Sequence, residues 1–150
     1  MDNVIVFKKG DFQVNKTIII PKNYKLYIPA GTKISFAENT WLVSYSIIEI
    51  DGEENAPVIF APLNKVWNGL IVLQTDQNRS QKSSINYMIF KGGDSGYFNG
   101  INSTGALVFN VSGVEINNSI FINSGLDDSI NIKRSNFLLE NNIFINATSD

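Results

Sequence analysis

The chain has 150 residues, of which 43% are hydrophobic and 17% charged, a composition that indicates one folded domain and excludes a disordered polypeptide. The formal net charge is −2 and the sequence has no basic cluster, which excludes the electrostatic signature of a nucleic-acid-binding protein. Because the sequence contains neither cysteine nor histidine, it excludes disulfides, thiolate or histidine metal sites, and catalysis by an imidazole base. No apolar run reaches the roughly 18 residues of a membrane span, and we expect any export leader to be missing from this chain.

The first 23 residues carry two short apolar segments, at residues 4–7 and 17–20. Short runs rich in β-branched residues, bounded by polar or glycine residues, are typical of strands. We therefore predict that residues 1–23 form N-terminal capping strands, and that residues 24–150 form the remaining body of a single domain.

Phenylalanine recurs through the body of the domain. The series is Phe36, Phe60, Phe90, Phe121 and Phe144, at spacings of 24, 30, 31 and 23 residues. The two longer spacings require inserted loops, and residues 74–83 and 92–102 have the polar or glycine-rich composition of loops. Such a series indicates a repeat architecture in which each unit contributes one phenylalanine.

The clearest repeat lies near the end of the chain, where residues 116–123 return as residues 139–146 at an offset of 23. The same offset pairs Leu107 with Ile130, Phe109 with Ile132, and Val114 with Phe137. Each unit contains three strands of three or four residues, separated by corners rich in Asn and Ser. No stretch has the 3.6-residue apolar period of a helix.

A unit of about 23 residues cannot bury its own apolar side, so the units must stack. We therefore predict an all-β fold, a parallel solenoid of about five to six coils with little or no helix. Its phenylalanines would form an internal ladder, and its asparagines would form amide ladders at the corners. Because the sequence stops inside a unit, we expect either that the natural chain continues or that this end self-associates with another copy.

Several segments resemble right-handed parallel β-helix repeat proteins of bacterial surfaces. Residues 24–36 are similar to the first full coil of such proteins, and residues 47–70 continue that pattern. More narrowly, residues 105–109, 127–132 and 149–150 resemble the β-helix regions attached to CotH-kinase-like spore-coat and surface proteins. The resemblance implies a right-handed parallel β-helix at an extracellular or cell-surface location. It does not select one function, because this fold includes lyases, hydrolases, adhesins and architectural stalks.

Two functions are therefore consistent with the sequence. In the first, the chain is a non-catalytic module of a larger surface or secreted protein, acting as a rigid scaffold or a weak polysaccharide-binding face. In the alternative, it is a calcium-dependent polysaccharide lyase or a related carbohydrate-active enzyme. We expect the first, because the sequence lacks histidine and retains only part of the acidic motif described next.

Asp127 and Asp128 form the most prominent acidic pair, and the 23-residue offset places Asp127 under Asp150 at roughly 5 Å. Like charges at this distance favour a bound cation, so Asp127, Asp128 and Asp150 are the predicted calcium ligands. The other interpretation is that these carboxylates accept hydrogen bonds from turn amides and face water. The segment is similar to the double-Asp segment of polygalacturonases, but Thr104 stands where that family has an aspartate in the preceding coil.

Two basic residues and several aromatic residues complete the candidates. If the chain is a lyase, Lys133 and Arg134 are the predicted catalytic residues, and otherwise they are surface charges at a corner. Tyr97 and Phe98 are the predicted carbohydrate-binding residues, because they lie in an inserted loop that would rise from a rigid solenoid.

Residues 93–96 spell the Gly-Asp-Ser-Gly of trypsin-like proteases, but no histidine is available to activate the serine. We expect a glycine-rich turn there, and expect Trp67 to close another turn against the core.

Overall fold

The computed structural model describes residues 3–73, 81–123 and 127–147, and these residues form six stacked coils of β-strands without a helix. The first three coils consist of β1 (Asn3–Val6), β2 (Asp11–Val14) and β3 (Ile18–Ile20); β4 (Tyr24–Pro29), β5 (Lys33–Phe36) and β6 (Trp41–Ser44); and β7 (Ile48–Asp51), β8 (Val58–Pro62) and β9 (Gly69–Leu73). The fourth coil consists of β10 (Ser83–Asn86), β11 (Met88–Lys91), β12 (Gly96–Phe98), β13 (Ile101–Ser103) and β14 (Gly105–Asn110). The fifth consists of β15 (Val114–Asn117), β16 (Ile120–Ile122) and β17 (Asp128–Lys133), and the sixth contains β18 (Phe137–Glu140) and β19 (Ile143–Ile145). None of the described segments could cross a membrane as a helix.

Equivalent strands of successive coils pair in parallel and build three sheets. Sheet A has the order β1-β4-β7-β10-β15-β18, sheet B has β2-β5-β8-β11-β16-β19, and sheet C has β3-β6-β9-β14-β17. The chain is therefore a parallel β-helix, as the repeat predicted. The segments predicted to be capping strands lie in β1 and β3, which form the first coil and pair directly with the second.

The strand register agrees with most of the repeat found in the sequence. Leu107 pairs with Ile130, Phe109 with Ile132 and Val114 with Phe137, as the 23-residue offset predicted. The predicted pairing of Phe36 with Phe60, at an offset of 24 residues, is wrong. Phe60 pairs with Ile34, and Phe36 pairs with Pro62. Four extra residues in the corner between β7 and β8 cause the difference: Pro29 pairs with Asp51 at an offset of 22, and Lys33 with Ile59 at an offset of 26.

A ladder of aromatic rings fills the interior of the helix. The ring centroids of Phe60, Phe90, Phe121 and Phe144 are separated by 6.2, 6.0 and 5.1 Å from one coil to the next. Phe36 joins this ladder although it lies outside the strand register, since its ring is 5.5 Å from that of Phe60. The predicted internal ladder is thus confirmed, and it extends over five coils.

Trp67 completes the ladder from the corner before β9. Its ring is fully buried and stacks on Phe36 at a centroid distance of 4.0 Å and an interplanar angle of 8°. Its indole Nε1 donates a hydrogen bond of 3.0 Å to the carbonyl oxygen of Lys91, so the polar atom is also satisfied. Trp67 therefore packs against the core, as the sequence indicated.

The corners are built by residues with left-handed backbone conformation and by buried serines. The φ values of Tyr87, Asn118 and Asn141, which follow β10, β15 and β18, are 46°, 52° and 54°. Asparagine tolerates this region because its short amide can bond locally. The amide Nδ2 of Asn118 donates to Oδ1 of Asn86 at 3.0 Å, one step of the amide ladder that the sequence predicted.

Ser119 links three coils through its hydroxyl and its backbone amide. Its Oγ donates to the carbonyl of Asn117 at 2.9 Å and accepts from the amide of Met88 at 3.1 Å. The amide of Ser119 in turn donates to Oδ1 of Asn142 at 2.9 Å. Because Ser119 and Met88 are both fully buried, water cannot replace these bonds.

We predict that Ser119→Ala lowers the free energy of unfolding by about 1–3 kcal/mol, because the buried amide of Met88 loses its acceptor. For a chain of this size, that change corresponds to a fall in Tm of several degrees, measurable by thermal unfolding followed by circular dichroism. The matched control is Ser84→Ala on the exposed surface of β10. Equal Tm values for the two variants would contradict the role assigned to Ser119.

Candidate functional site

The outer face of the three middle strands of sheet C differs from the rest of the surface because it is apolar and buried. Alternate side chains of β6, β9 and β14 point away from the helix interior. They form a second hydrophobic cluster of buried residues, made of Trp41, Val43, Ile71, Leu73 and Val108. Because both faces of these strands are buried, their sequences are continuous apolar runs without polar alternation.

A β-hairpin inserted between β11 and β14 packs on this cluster. Its strands β12 and β13 pair in antiparallel fashion, with Tyr97 opposite Asn102 and Phe98 opposite Ile101. Phe98 and Ile101 pack against the cluster, and the ring of Phe98 lies 6.4 Å from that of Trp41. The insertion predicted as a glycine-rich loop is therefore an ordered hairpin held on the sheet by aromatic contact.

The hairpin turn is the two-residue sequence Asn99-Gly100. Both residues have positive φ, 45° and 80°, which is the requirement of a type I′ turn. An Asn-Gly pair flanked by strand-forming residues is a strong local signal for a hairpin. The sequence interpretation missed it because the surrounding glycines suggested irregular structure.

The two predicted carbohydrate-binding residues lie on opposite faces of the hairpin. Tyr97 is 76% exposed, whereas Phe98 is half-buried against the second cluster. Because neighbouring residues of a strand point to opposite sides, one anchors the hairpin while the other faces solvent. Of this pair, Tyr97 is therefore the residue that presents an open aromatic surface.

Residues 93–96, which match the serine-protease motif, form the segment that leads into the hairpin, and Gly96 is the first residue of β12. Gly93 has a φ of 88°, and a Cβ at this position would lie 2.8 Å from the Cβ of Ala106. Oδ1 of Asp94 accepts a 2.7 Å hydrogen bond from the amide of Ser95, and the amide of Asp94 donates to the carbonyl of Asn68. These contacts give the motif a structural role at the base of the hairpin.

The acidic pair lies at the start of β17. Oδ2 of Asp128 accepts hydrogen bonds from Thr104 Oγ1 at 3.2 Å and from Asn131 Nδ2 at 2.9 Å. The side chain of Asp128 is therefore already used to join the fourth and fifth coils, while Asp127 is exposed. Asp150 lies outside the described residues, so the predicted acidic stack remains a prediction.

Within residues 3–73, 81–123 and 127–147, no three acidic side chains come close enough together to hold a metal ion. The two hydrogen bonds of Asp128 come from the side chains of Thr104 and Asn131, whereas the other interpretation of the pair assigned turn amides as the donors. The calcium site of Asp127, Asp128 and Asp150 therefore stays a prediction from the sequence.

Lys133 and Arg134, the predicted catalytic residues of the alternative function, are both exposed: Lys133 ends β17, and Arg134 begins the corner that follows. The carbonyl of Lys133 accepts hydrogen bonds from the amide of Val111 and from the hydroxyl of Ser135, at 3.0 and 2.8 Å. Arg134 has a φ of 54°, so its backbone forms the tight turn. Their backbones thus build the corner, and a catalytic role for their side chains stays a prediction.

The outer face of the middle strands of sheet A, by contrast, is polar. Lys25 forms an ion pair with Glu49, and Lys82 forms one with Glu115 at 2.9 Å. Partial burial, together with the nearby carboxylate of Asp51, raises the pKa of Tyr27 on the same face. This face resembles an ordinary solvated surface, so the hairpin on sheet C is the stronger candidate site.

We predict that Phe98→Ser releases the hairpin from sheet C while the aromatic ladder inside the helix stays intact. Trp41, now 3% exposed, would become accessible to water. The expected result is greater acrylamide quenching and a red shift of tryptophan fluorescence, with little change in far-UV circular dichroism. Tyr97→Ser is the matched control, because its side chain faces solvent. Unchanged quenching in Phe98→Ser would show that this contact does not hold the hairpin.

We predict that Asp128→Ala, measured in the presence of a chelator, lowers the free energy of unfolding by about 1 kcal/mol. The reason is that Thr104 and Asn131 lose their common acceptor. Asp127→Ala is the control, since Asp127 is exposed. Without a chelator, a calcium-dependent rise in Tm that disappears in Asp128→Ala would instead favour the metal site predicted from the sequence.

Comparison with known proteins does not assign this chain to a family, and only its fold is established. No family model, no curated protein and no solved structure matches it. The identification as a parallel β-helix rests on the order and register of the three sheets.

Proposed function

We propose that this chain is a non-catalytic β-helix module that serves as a rigid scaffold and presents the β12–β13 hairpin as a weak polysaccharide-binding face. The observation that carries the proposal is the exposure of Tyr97 on a hairpin anchored by Phe98 and Trp41. The proposal also takes up the resemblance to surface-protein β-helix regions, in which such a module is part of a larger secreted or cell-surface protein.

The scaffold role is supported by the way in which the coils are joined. Each pair of neighbouring coils shares parallel strands, and one continuous core of buried side chains runs from Val14 to Phe121. Six coils at the usual strand spacing of about 4.8 Å make a rod roughly 25–30 Å long. Because close-packed interiors deform little, a side chain on this rod keeps a fixed position and direction.

The chemistry of the exposed hairpin face suits a sugar. An aromatic ring offers a flat apolar surface and a phenolic hydroxyl, which together match the apolar face and hydroxyl edge of a pyranose. Asn102 is exposed directly across from Tyr97, so an amide donor and acceptor lie beside the ring. Holding both groups on a paired hairpin reduces the conformational entropy that is lost on binding.

The charge of the hairpin favours a neutral polysaccharide. Residues 94–104 contain one acidic residue, Asp94, and no lysine or arginine. Recognition of a uronate carboxylate ordinarily uses a basic side chain, above all arginine. We therefore expect a neutral glucan or xylan to bind better than polygalacturonate.

The test measures retardation of the purified chain in native gels that contain a soluble β-glucan, xylan or polygalacturonate. We predict that Tyr97→Ala weakens binding to the neutral polymers about tenfold, equivalent to roughly 1.4 kcal/mol. Tyr24→Ala is the matched control, because Tyr24 is an exposed tyrosine on sheet A.

Two results would contradict the proposal. Equal retardation of Tyr97→Ala and the unmodified chain would remove the hairpin as the binding face. Calcium-dependent formation of unsaturated sugar products from polygalacturonate, lost in Lys133→Ala or Arg134→Ala, would establish the alternative lyase function.

A further inference from the structure

The sixth coil, the last that the structure describes, exposes strands whose side chains are apolar on both faces. Six large apolar residues of this coil are each between 37% and 59% exposed: Phe137, Leu138, Leu139, Ile143, Phe144 and Ile145. Their strands pair on one side with the fifth coil, and no described strand pairs with them on the other side. An open parallel edge with large apolar side chains is a template for another strand.

This face also contains a cavity of about 420 Å³. Its lining is mainly apolar, with Ile130 and Ile132 from β17, Phe137 and Leu139 from β18, and Phe144 from β19. These side chains continue the interior columns of the helix, so the cavity is the open end of the core. A partner that fits it should place further apolar side chains on the same columns.

The first coil offers such side chains at the other end of the molecule. Val4 and Val6 of β1 are 50% and 56% exposed, and Ile5, Phe7 and Phe12 are partly buried against the core. A single column of Cα pairs runs through sheet B from the first coil to the last: Phe12, Ile34, Phe60, Phe90, Phe121 and Phe144. The column therefore begins and ends in phenylalanine.

Sheet A shows a similar correspondence. Its register connects Val6 of the first coil, through Tyr27, Glu49, Ser84 and Glu115, with Leu138 of the last. Both terminal members of this column are exposed apolar side chains. Lys8 lies two residues after Val6, and Glu140 lies two residues after Leu138. Both of these charged residues are exposed.

The charges of the two ends are complementary. Residues 3–20 contain three lysines and one aspartate, whereas Glu140 is the charged residue of residues 137–147. The two segments therefore carry net charges of opposite sign, which favours contact between unlike ends over contact between like ends.

We propose that the C-terminal face of one copy binds the N-terminal face of a second copy, so that the chain assembles head to tail. In this arrangement β1 of the second copy pairs with β18, and its β2 pairs with β19. Phe12 of the second copy then lies on Phe144, and Lys8 lies beside Glu140.

The interface uses sheets A and B. In sheet C the last described strand, β17, belongs to the fifth coil, one coil below β18 and β19. Ile5, Phe7 and Phe12 of the second copy cover the cavity at the end of the core. Because the two faces are different, each end of the assembly keeps one face free, and the assembly is an open stack that grows with concentration.

The register is tested by disulfide trapping. Because the sequence contains no cysteine, only the introduced cysteines can form disulfides. A chain carrying Leu138→Cys is mixed with a chain carrying Val6→Cys under mild oxidation. Neighbouring parallel strands lie within the Cα distance of about 4.4–6.8 Å that a disulfide spans. We expect the mixed dimer to dominate over both homodimers. The matched control replaces Val6→Cys with Val4→Cys, two residues out of register on the same strand, and should trap far less.

The charges are tested by reversal and compensation, measured by sedimentation velocity over a wide range of protein concentration. Glu140→Lys and Lys8→Glu should each weaken self-association, and the chain carrying both changes should recover it. Glu54→Lys, in the exposed corner between β7 and β8, is the control for net charge. Compensation distinguishes contact between the two faces from an effect on folding, because a folding defect would not be restored.

Three outcomes would overturn the proposal. The first is a monomer at all concentrations in sedimentation velocity. The second is equal trapping of Leu138→Cys by Val6→Cys and Val4→Cys, which would show that no register is preferred. The third is predominant trapping of the Leu138→Cys homodimer, which would show that like ends meet. None of these results depends on polysaccharide binding.

Discussion

The parallel pairing of equivalent strands between coils is the interaction on which this structure depends. In-register pairing places each side chain directly on its counterpart in the next coil, about 4.8 Å away. A column therefore accepts only residue types that tolerate a similar neighbour at that distance. Aromatic and aliphatic side chains satisfy this requirement inside the helix, as the phenylalanine ladder shows.

Charged residues follow the same constraint on the outer face of sheet A. Glu49 and Glu115 share a column, but Ser84 lies between them, so the two carboxylates are not direct neighbours. Each glutamate is neutralised by a lysine, Lys25 for the first and Lys82 for the second. The serine between the two glutamates thus reduces the repulsion between like charges that would destabilise the stacking of coils.

The corners allow the length of a coil to vary without disturbing the ladders. Between neighbouring coils of sheet A, the offset in sequence ranges from 21 to 35 residues, yet the strands remain in register. Within the described residues, the insertions lie at corners: four extra residues between β7 and β8, and a longer segment between β11 and β14. One such insertion becomes the β12–β13 hairpin, and because it folds back on an apolar patch, it adds a positioned surface to an otherwise regular rod.

The sequence alone determined the fold, since a 23-residue repeat of short strands can bury its apolar residues only by stacking. It also located the phenylalanine ladder and the burial of Trp67, because these depend on recurrence and local composition. The tertiary structure decided the exact register of Phe36, which depends on how many residues a corner absorbs. It also decided which face of the β12–β13 hairpin packs on sheet C, with Phe98 inward and Tyr97 outward, and the engagement of Asp128 by Thr104 and Asn131. These features depend on contacts between residues that are distant in the chain, and no local pattern in the sequence specifies them.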